Sequence, residues 1–129
     1  MAERREIAFE ALLPPTVVVT ADVNMLVTVV RNLLTNAVKF TASGGKVSLQ
    51  INERNGKYAV SVSDTGVGMT SEQVQSLFRI DSKVSREGTA GEQSSGLGLI
   101  VCRDMLHKHG IELLVESEEG KGSRFWFEV

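Results

Sequence analysis

The sequence predicts an α+β domain, a two-layer sandwich in which a mixed, mostly antiparallel sheet is covered on one face by three helices. Two patterns point to it: one long stretch, residues 22–41, with apolar residues at helical spacing, and two pairs of alternating segments, each joined by a glycine turn. A third observation removes the main competitor. The chain lacks the repeated β-α-β units that a doubly wound nucleotide-binding sheet is built from.

Segments 8–13 and 16–20 have strand-like composition, and Pro14-Pro15 between them blocks a helix, so two short strands open the domain. From Asp22 to about Thr41, Val23, Leu26, Val30, Leu33, Leu34, Ala37 and Val38 recur at helical spacing, with Asp22 placed as the cap. Ser43-Gly44-Gly45 ends that helix. Val47, Leu49 and Ile51 alternate with polar residues up to the Asn55-Gly56 turn, and Tyr58, Val60 and Val62 alternate after it, a hairpin that delivers Asp64 to a strand end. Thr70-Ser71-Glu72-Gln73 reads as a capping box starting a short helix to about Phe78. Residues 79–95 show no periodicity; a loop of that length inside a small domain reads as a functional lid. Helical spacing resumes from Leu97 to His107 and stops at Gly110, a left-handed C-terminal position. Residues 112–116, the turn Glu119-Gly120-Lys121-Gly122 and residues 123–129 form a closing hairpin.

Composition narrows the function classes. The 129 residues suffice for one domain, so 1–129 is expected to be a single unit. No apolar run approaches the roughly 20 residues of a membrane helix, and 14 basic against 16 acidic residues, net charge -2, argue against a nucleic-acid surface. Cys102, the only cysteine, permits neither an intrachain disulfide nor a thiolate zinc cluster, and with no secretory leader a reducing, cytoplasmic setting is expected. The absence of heptads suggests that the isolated domain is monomeric.

There is no G-x-x-x-x-G-K-[ST], so any phosphate site is built another way. On the long helix Asn36 lies about 40° from Asn32, and Lys39 about 20° on its other side. These three form one polar stripe. Val23, Val30, Leu34 and Val38 are expected to bury the opposite side against the sheet, turning the stripe toward the lid. An amide oxygen is a hard ligand suited to Mg²⁺, and a lysine one turn away neutralises phosphate charge. Asp64 precedes a glycine turn, so its carboxylate can accept from an exocyclic amine such as that of adenine, although an Asx-type turn is the plainer account of an isolated Asp-Thr-Gly. Gly96-Leu97-Gly98 offers flexible backbone and N–H groups that can face an anion.

Taken together these segments resemble the GHKL nucleotide-binding superfamily, and within it the ATP-binding catalytic domain of sensor histidine kinases, with its Bergerat-type fold. Residues 32–41 (NLLTNAVKFT) look like the N box and 64–69 (DTGVGM) like the G1 box. Leu77-Phe78 resembles a reduced F box, 96–99 (GLGL) the G2 box and 116–127 (ESEEGKGSRFWF) the closing hairpin. The resemblance implies ATP and Mg²⁺ as cofactors. Asn36 would ligate the metal, Asn32 support metal and phosphates, and Lys39 contact phosphate, these three being the catalytic set. Phe40 would pack near the adenine, although an aromatic at the end of an amphipathic helix is usually core. Asp64 would bind the adenine amine, Gly66 and Gly68 shape the pocket floor, and Gly96 and Gly98 hinge the lid. Met69, Leu97 and Leu99 join the nucleotide site as members of their boxes.

Superfamily members that hydrolyse ATP carry a glutamate at the place of Asn32. An amide cannot serve as a general base, so the resemblance implies transfer of the γ-phosphoryl to a histidine of a separate dimerisation and phosphoacceptor domain, in two-component signalling with a response regulator receiver domain downstream. No such histidine-bearing helix precedes the boxes, so the chain reads as a domain excised from a longer protein that could itself be membrane-anchored, and inactive as a kinase alone. The alternatives are a serine kinase of the anti-sigma type, a non-catalytic nucleotide sensor and, against Asn32, an ATPase. His107 and His109 read as cations suited to a helix terminus. Lys83 and Arg86 of the lid could reach phosphate, with a solvated loop as the plainer reading. Gly110 is followed by Ile111 where the family usually has a second glycine.

Overall fold

Strands of nine and eight residues on the two sides of an Asn-Gly turn give the centre of the sheet its shape. The computed structural model describes residues 6–14, 22–77 and 97–129; the expected strand at 16–20, Phe78, the lid 79–95 and Gly96 lie outside the described residues. The elements are β1 (Ala8–Leu12), α1 (Val23–Lys39), β2 (Lys46–Arg54), β3 (Lys57–Asp64), α2 (Ser71–Ser76), α3 (Leu97–His107), β4 (Leu114–Glu118) and β5 (Gly122–Glu128). They build one five-stranded sheet of order β1-β2-β3-β5-β4, in which only β1 and β2 are parallel. The expected mixed, mostly antiparallel sheet and its layer of helices are therefore present.

Asn55 and Gly56 both have positive φ, 53° and 78°, the requirement of the two-residue turn whose twist matches the flanking strands. That turn fixes the register: Ile51 faces Val60 and Leu49 faces Val62, while Phe127 and Phe125 face those two from β5. Because side chains alternate, Val47, Leu49, Ile51, Val60, Val62, Phe125 and Phe127 share the core face, and the first and last of these are wholly buried. Asp64 has the parity of Val60 and Val62. It therefore leaves the sheet on the helix side, with Val47 and Ser123 as its cross-strand partners.

α1 starts as expected, with Asp22 accepting a bond from the Met25 backbone N–H at 3.1 Å. Its buried row differs from the expected one. Met25, Val29, Leu33 and Ala37 are buried, whereas Val23 is 68% and Val38 44% exposed and Val30 and Leu34 are half-buried. Steps of four residues advance about 40° each, so the buried row spans an arc of about 120°. Asn36 falls at the edge of that arc, and the polar stripe borders the core instead of opposing it. Apolar residues occupy more than half of the helix circumference, and packing against α3 as well as β2 and β3 selects which of them are covered.

The remaining helix ends follow their local chemistry. Thr70 and Gln73 form a reciprocal capping box, Gln73 N–H to Thr70 Oγ1 at 3.1 Å and Thr70 N–H to Gln73 Oε1 at 2.9 Å. Gly110 (φ 72°) terminates α3 in a Schellman motif: its N–H bonds to the His107 carbonyl at 3.0 Å, and Ile111 N–H reaches the Leu106 carbonyl at 2.9 Å. The missing second glycine changes nothing in this turn. β4 begins at Leu114, two residues later than expected, because the chain leaving the motif first buries Leu113. Among the described residues no helix is long and apolar enough to cross a membrane.

Candidate functional site

The site grows from the C-terminal end of α1, which carries the polar stripe. Asn32, Asn36 and Lys39 are half-buried along it, and Phe40, the C-cap, is 1% exposed with its ring in the core. The Phe40 carbonyl then ties the helix to the next segment. It accepts the Val67 N–H at 3.1 Å, and a Cβ on Gly66 would stand 2.0 Å from it. Only glycine lets the 64–69 turn lie this close to the helix end. The end of α1 and the turn that Asp64 begins are thereby held together by backbone contacts.

Asp64 forms the Asx turn that the sequence left open, its Oδ1 accepting the Gly66 N–H at 2.8 Å. This orients the carboxylate, which has about four acceptor positions. Next to it, Thr65 and Lys46 clamp one another: Thr65 N–H bonds to the Lys46 carbonyl at 3.0 Å and Lys46 N–H to Thr65 Oγ1 at 2.9 Å.

The other side of the turn rests on the closing hairpin. Gly68 has φ of 66° and would place a Cβ 2.0 Å from the Glu118 carbonyl oxygen; Gly122, at φ 131°, would place one 2.0 Å from the Asp64 carbonyl oxygen. Gly120 N–H bonds to the Val67 carbonyl at 2.8 Å, and Met69 N–H to Ser117 Oγ at 2.8 Å. Met69 itself is 2% exposed and packs in the core.

α3 flanks the stripe. Leu99 is buried against the core, while Gly98 is exposed with open space where a Cβ would stand. Cys102, with no exposed surface, places Sγ 3.8 Å from the Val29 carbonyl, one turn before Asn32 on α1. Burial pushes the thiol up from its ordinary value of 9.0, and a side-chain hydrogen bond with Asn32 opposes that. It stays a neutral thiol at physiological pH. His109, exposed at the end of α3, has Nδ1 2.9 Å from the Met105 carbonyl, a helix-terminal contact.

The structure thus ties Phe40, at the end of the helix that carries Asn32, Asn36 and Lys39, to the turn holding Asp64, Gly66, Gly68 and Met69, and sets Gly98 and Leu99 on α3, which packs on α1. Thr65, Cys102, Ser117, Gly122 and Ser123 were not legible as site residues. Of these only Gly122 carried a local signal, in the Gly-Lys-Gly turn.

The family model described as "Histidine kinase-, DNA gyrase B-, and HSP90-like ATPase" matches residues 21–129. The chain is 34% identical over 106 residues to the sensor protein SrrB of Staphylococcus aureus, an alignment that covers 82% of this chain and 18% of that protein. Among solved structures it resembles histidine kinase ThkA in complex with the response regulator protein TrrA, with a TM-score of 0.74, 25% identity and coverage of 95% of this chain and 34% of that one. It also resembles full-length ShkA in complex with AMPPNP, with a TM-score of 0.69, 31% identity and coverage of 96% and 25%. The chain spans less than a fifth of the length of the curated relative.

Proposed function

We propose, because this chain belongs to the histidine kinase-, DNA gyrase B-, and HSP90-like ATPase family, that it binds Mg-ATP and donates the γ-phosphoryl to a histidine on a separate dimerisation and phosphoacceptor domain. Within the family it is the ATPase-type domain of a two-component sensor histidine kinase. The observation that supports the reading is the join at the Phe40 carbonyl, which ties the end of the helix bearing Asn32, Asn36 and Lys39 to the turn that begins at Asp64. A complex of the related ShkA with AMPPNP supports the choice of ligand.

Among the described residues no three His, Cys, Asp or Glu side chains converge as a metal cluster, and the donors proposed are the neutral amides of Asn32 and Asn36. That set suits Mg²⁺, which takes few protein ligands and completes its shell with phosphate oxygens and water. Asn36 would ligate it, with Asn32 in support; the ion would neutralise phosphate charge. Lys39 adds a point charge to the phosphates, and Asp64 accepts the adenine amine. Phe40, Met69 and Leu99, all buried, would back the nucleotide, and Gly96, Leu97 and Gly98 would contact it as members of the last glycine motif. In the transfer the bond from the γ-phosphorus to the β,γ-bridging oxygen breaks, a P–N bond to imidazole forms, and ADP leaves. Holding the phosphoryl in line is most of what such a site has to do.

Residues 1–129 are on this reading one domain of a longer cytoplasmic or membrane-tethered kinase, whose phosphate passes on to a response regulator; the ThkA–TrrA complex supports such a partner. The test is calorimetry with Mg-ATP and ADP on this domain and on Asp64→Asn, with hydrolysis followed in parallel. Saturable binding without turnover, lost in the variant, is expected. A folded, unmutated domain that binds neither nucleotide overturns the reading.

A further inference from the structure

Ser117 is where the closing hairpin meets the 64–69 turn. Its Oγ accepts the Met69 N–H at 2.8 Å, donates to the Gly122 carbonyl at 3.1 Å and lies 2.8 Å from Ser123 Oγ. A serine hydroxyl has one proton and two lone pairs. With the proton on Gly122, the lone pairs take the Met69 N–H and the Ser123 O–H, so the group is saturated. Each partner acts on Asp64: Met69 ends its turn, Gly122 packs without a side chain against its carbonyl, and Ser123 is its cross-strand neighbour.

We infer that Ser117 is a positioning residue for the nucleobase, fixing the turn so that the Asp64 carboxylate meets the exocyclic amine of adenine. The inference rests on the adenine-binding reading of Asp64 proposed above. Met69 is buried, so loss of the Ser117 acceptor strands its N–H, and the turn gains by shifting toward another partner. A shift there moves the carboxylate. The α1 stripe keeps its place through the packing of α1 on β2, β3 and α3.

ADP and IDP separate the two effects, because IDP has a carbonyl in place of the amine. Dissociation constants for both are measured by calorimetry on the unmutated chain, Ser117→Ala, Ser117→Cys and Ser117→Thr, with thermal melting alongside. In Ser117→Ala, ADP affinity is expected to fall about tenfold and IDP affinity far less, so that the preference for ADP collapses. Ser117→Thr keeps the hydroxyl and the preference. Ser117→Cys, a weaker acceptor of similar size, falls between them and serves if the alanine variant does not fold. Unchanged ADP affinity in the alanine or cysteine variant, or equal losses for both nucleotides, overturns the inference. An unmutated chain that binds ADP and IDP equally overturns the Asp64 reading first, and the inference with it.

Discussion

Gly66 and Gly98 both belong to glycine motifs, yet the structure asks opposite things of them. A Cβ at 66 would collide with the Phe40 carbonyl, a backbone atom that cannot swing aside, whereas a Cβ at 98 meets nothing within 4 Å. Gly66→Ala is therefore expected to lower the melting temperature by several degrees and to weaken nucleotide binding with it. Gly98 lies in the first turn of α3, where alanine is favoured over glycine by up to about 1 kcal/mol, so Gly98→Ala should melt at the same temperature or higher. If it nonetheless binds ATP more weakly, the glycine serves the lid and not the fold. Melting and calorimetry on the two variants decide this, and a Gly66→Ala protein as stable as the unmutated one would show that the turn yields. Asp64 and the glycines around it were legible because their signal is local. Ser117 was not, because its partner Met69 is 48 residues away in sequence and no short-range pattern reports a contact made only by the folded sheet.

At the scale of an element, the ends were easier to read than the faces. Caps depend on residues within one turn, so Asp22, the Thr70–Gln73 box and Gly110 all behave as their chemistry dictates. The buried face of α1 depends on what packs against it. Its apolar residues run around more than half of the helix, and the expected row Val23, Val30, Leu34 and Val38 gave way to Met25, Val29, Leu33 and Ala37 once α3 covered that side. The difference is measurable. Leu33→Ala, at 1% exposure, should cost about 2–5 kcal/mol, and Val38→Ser, at 44%, should stay within about 0.5 kcal/mol. Urea unfolding of both variants tests this, and comparable losses would restore the broader face as part of the core.

For the molecule as a whole, it is topology that would make one site, on the proposed reading, of polar groups distant in sequence. The alternation along β3 sends Asp64 to the helix side, and the register with β5 sets Ser123 and the hairpin under it; α1 supplies the amides and lysine from the layer above. The strand alternation announced the sheet, but the β1-β2-β3-β5-β4 order is a property of the assembled chain. A site made from two layers couples ligand to global stability, since a nucleotide spanning both binds only the folded state. At a concentration a hundred times its dissociation constant, Mg-ATP should stabilise the domain by about 2.7 kcal/mol, a rise in melting temperature on the order of 10 °C for a chain of this size. The two halves of the site can be separated by their chemistry. Removing Mg²⁺ with EDTA should cut most of the shift given by ATP, where phosphate charge is greatest, but little of that given by adenosine, which needs only the Asp64 turn. Asn36→Ala should mimic EDTA, and Asp64→Asn should lose the adenosine shift while its own melting temperature stays near that of the unmutated chain. An ATP shift that is indifferent to both EDTA and Asn36→Ala would remove the metal from the α1 stripe and leave phosphate recognition to Lys39 and backbone alone.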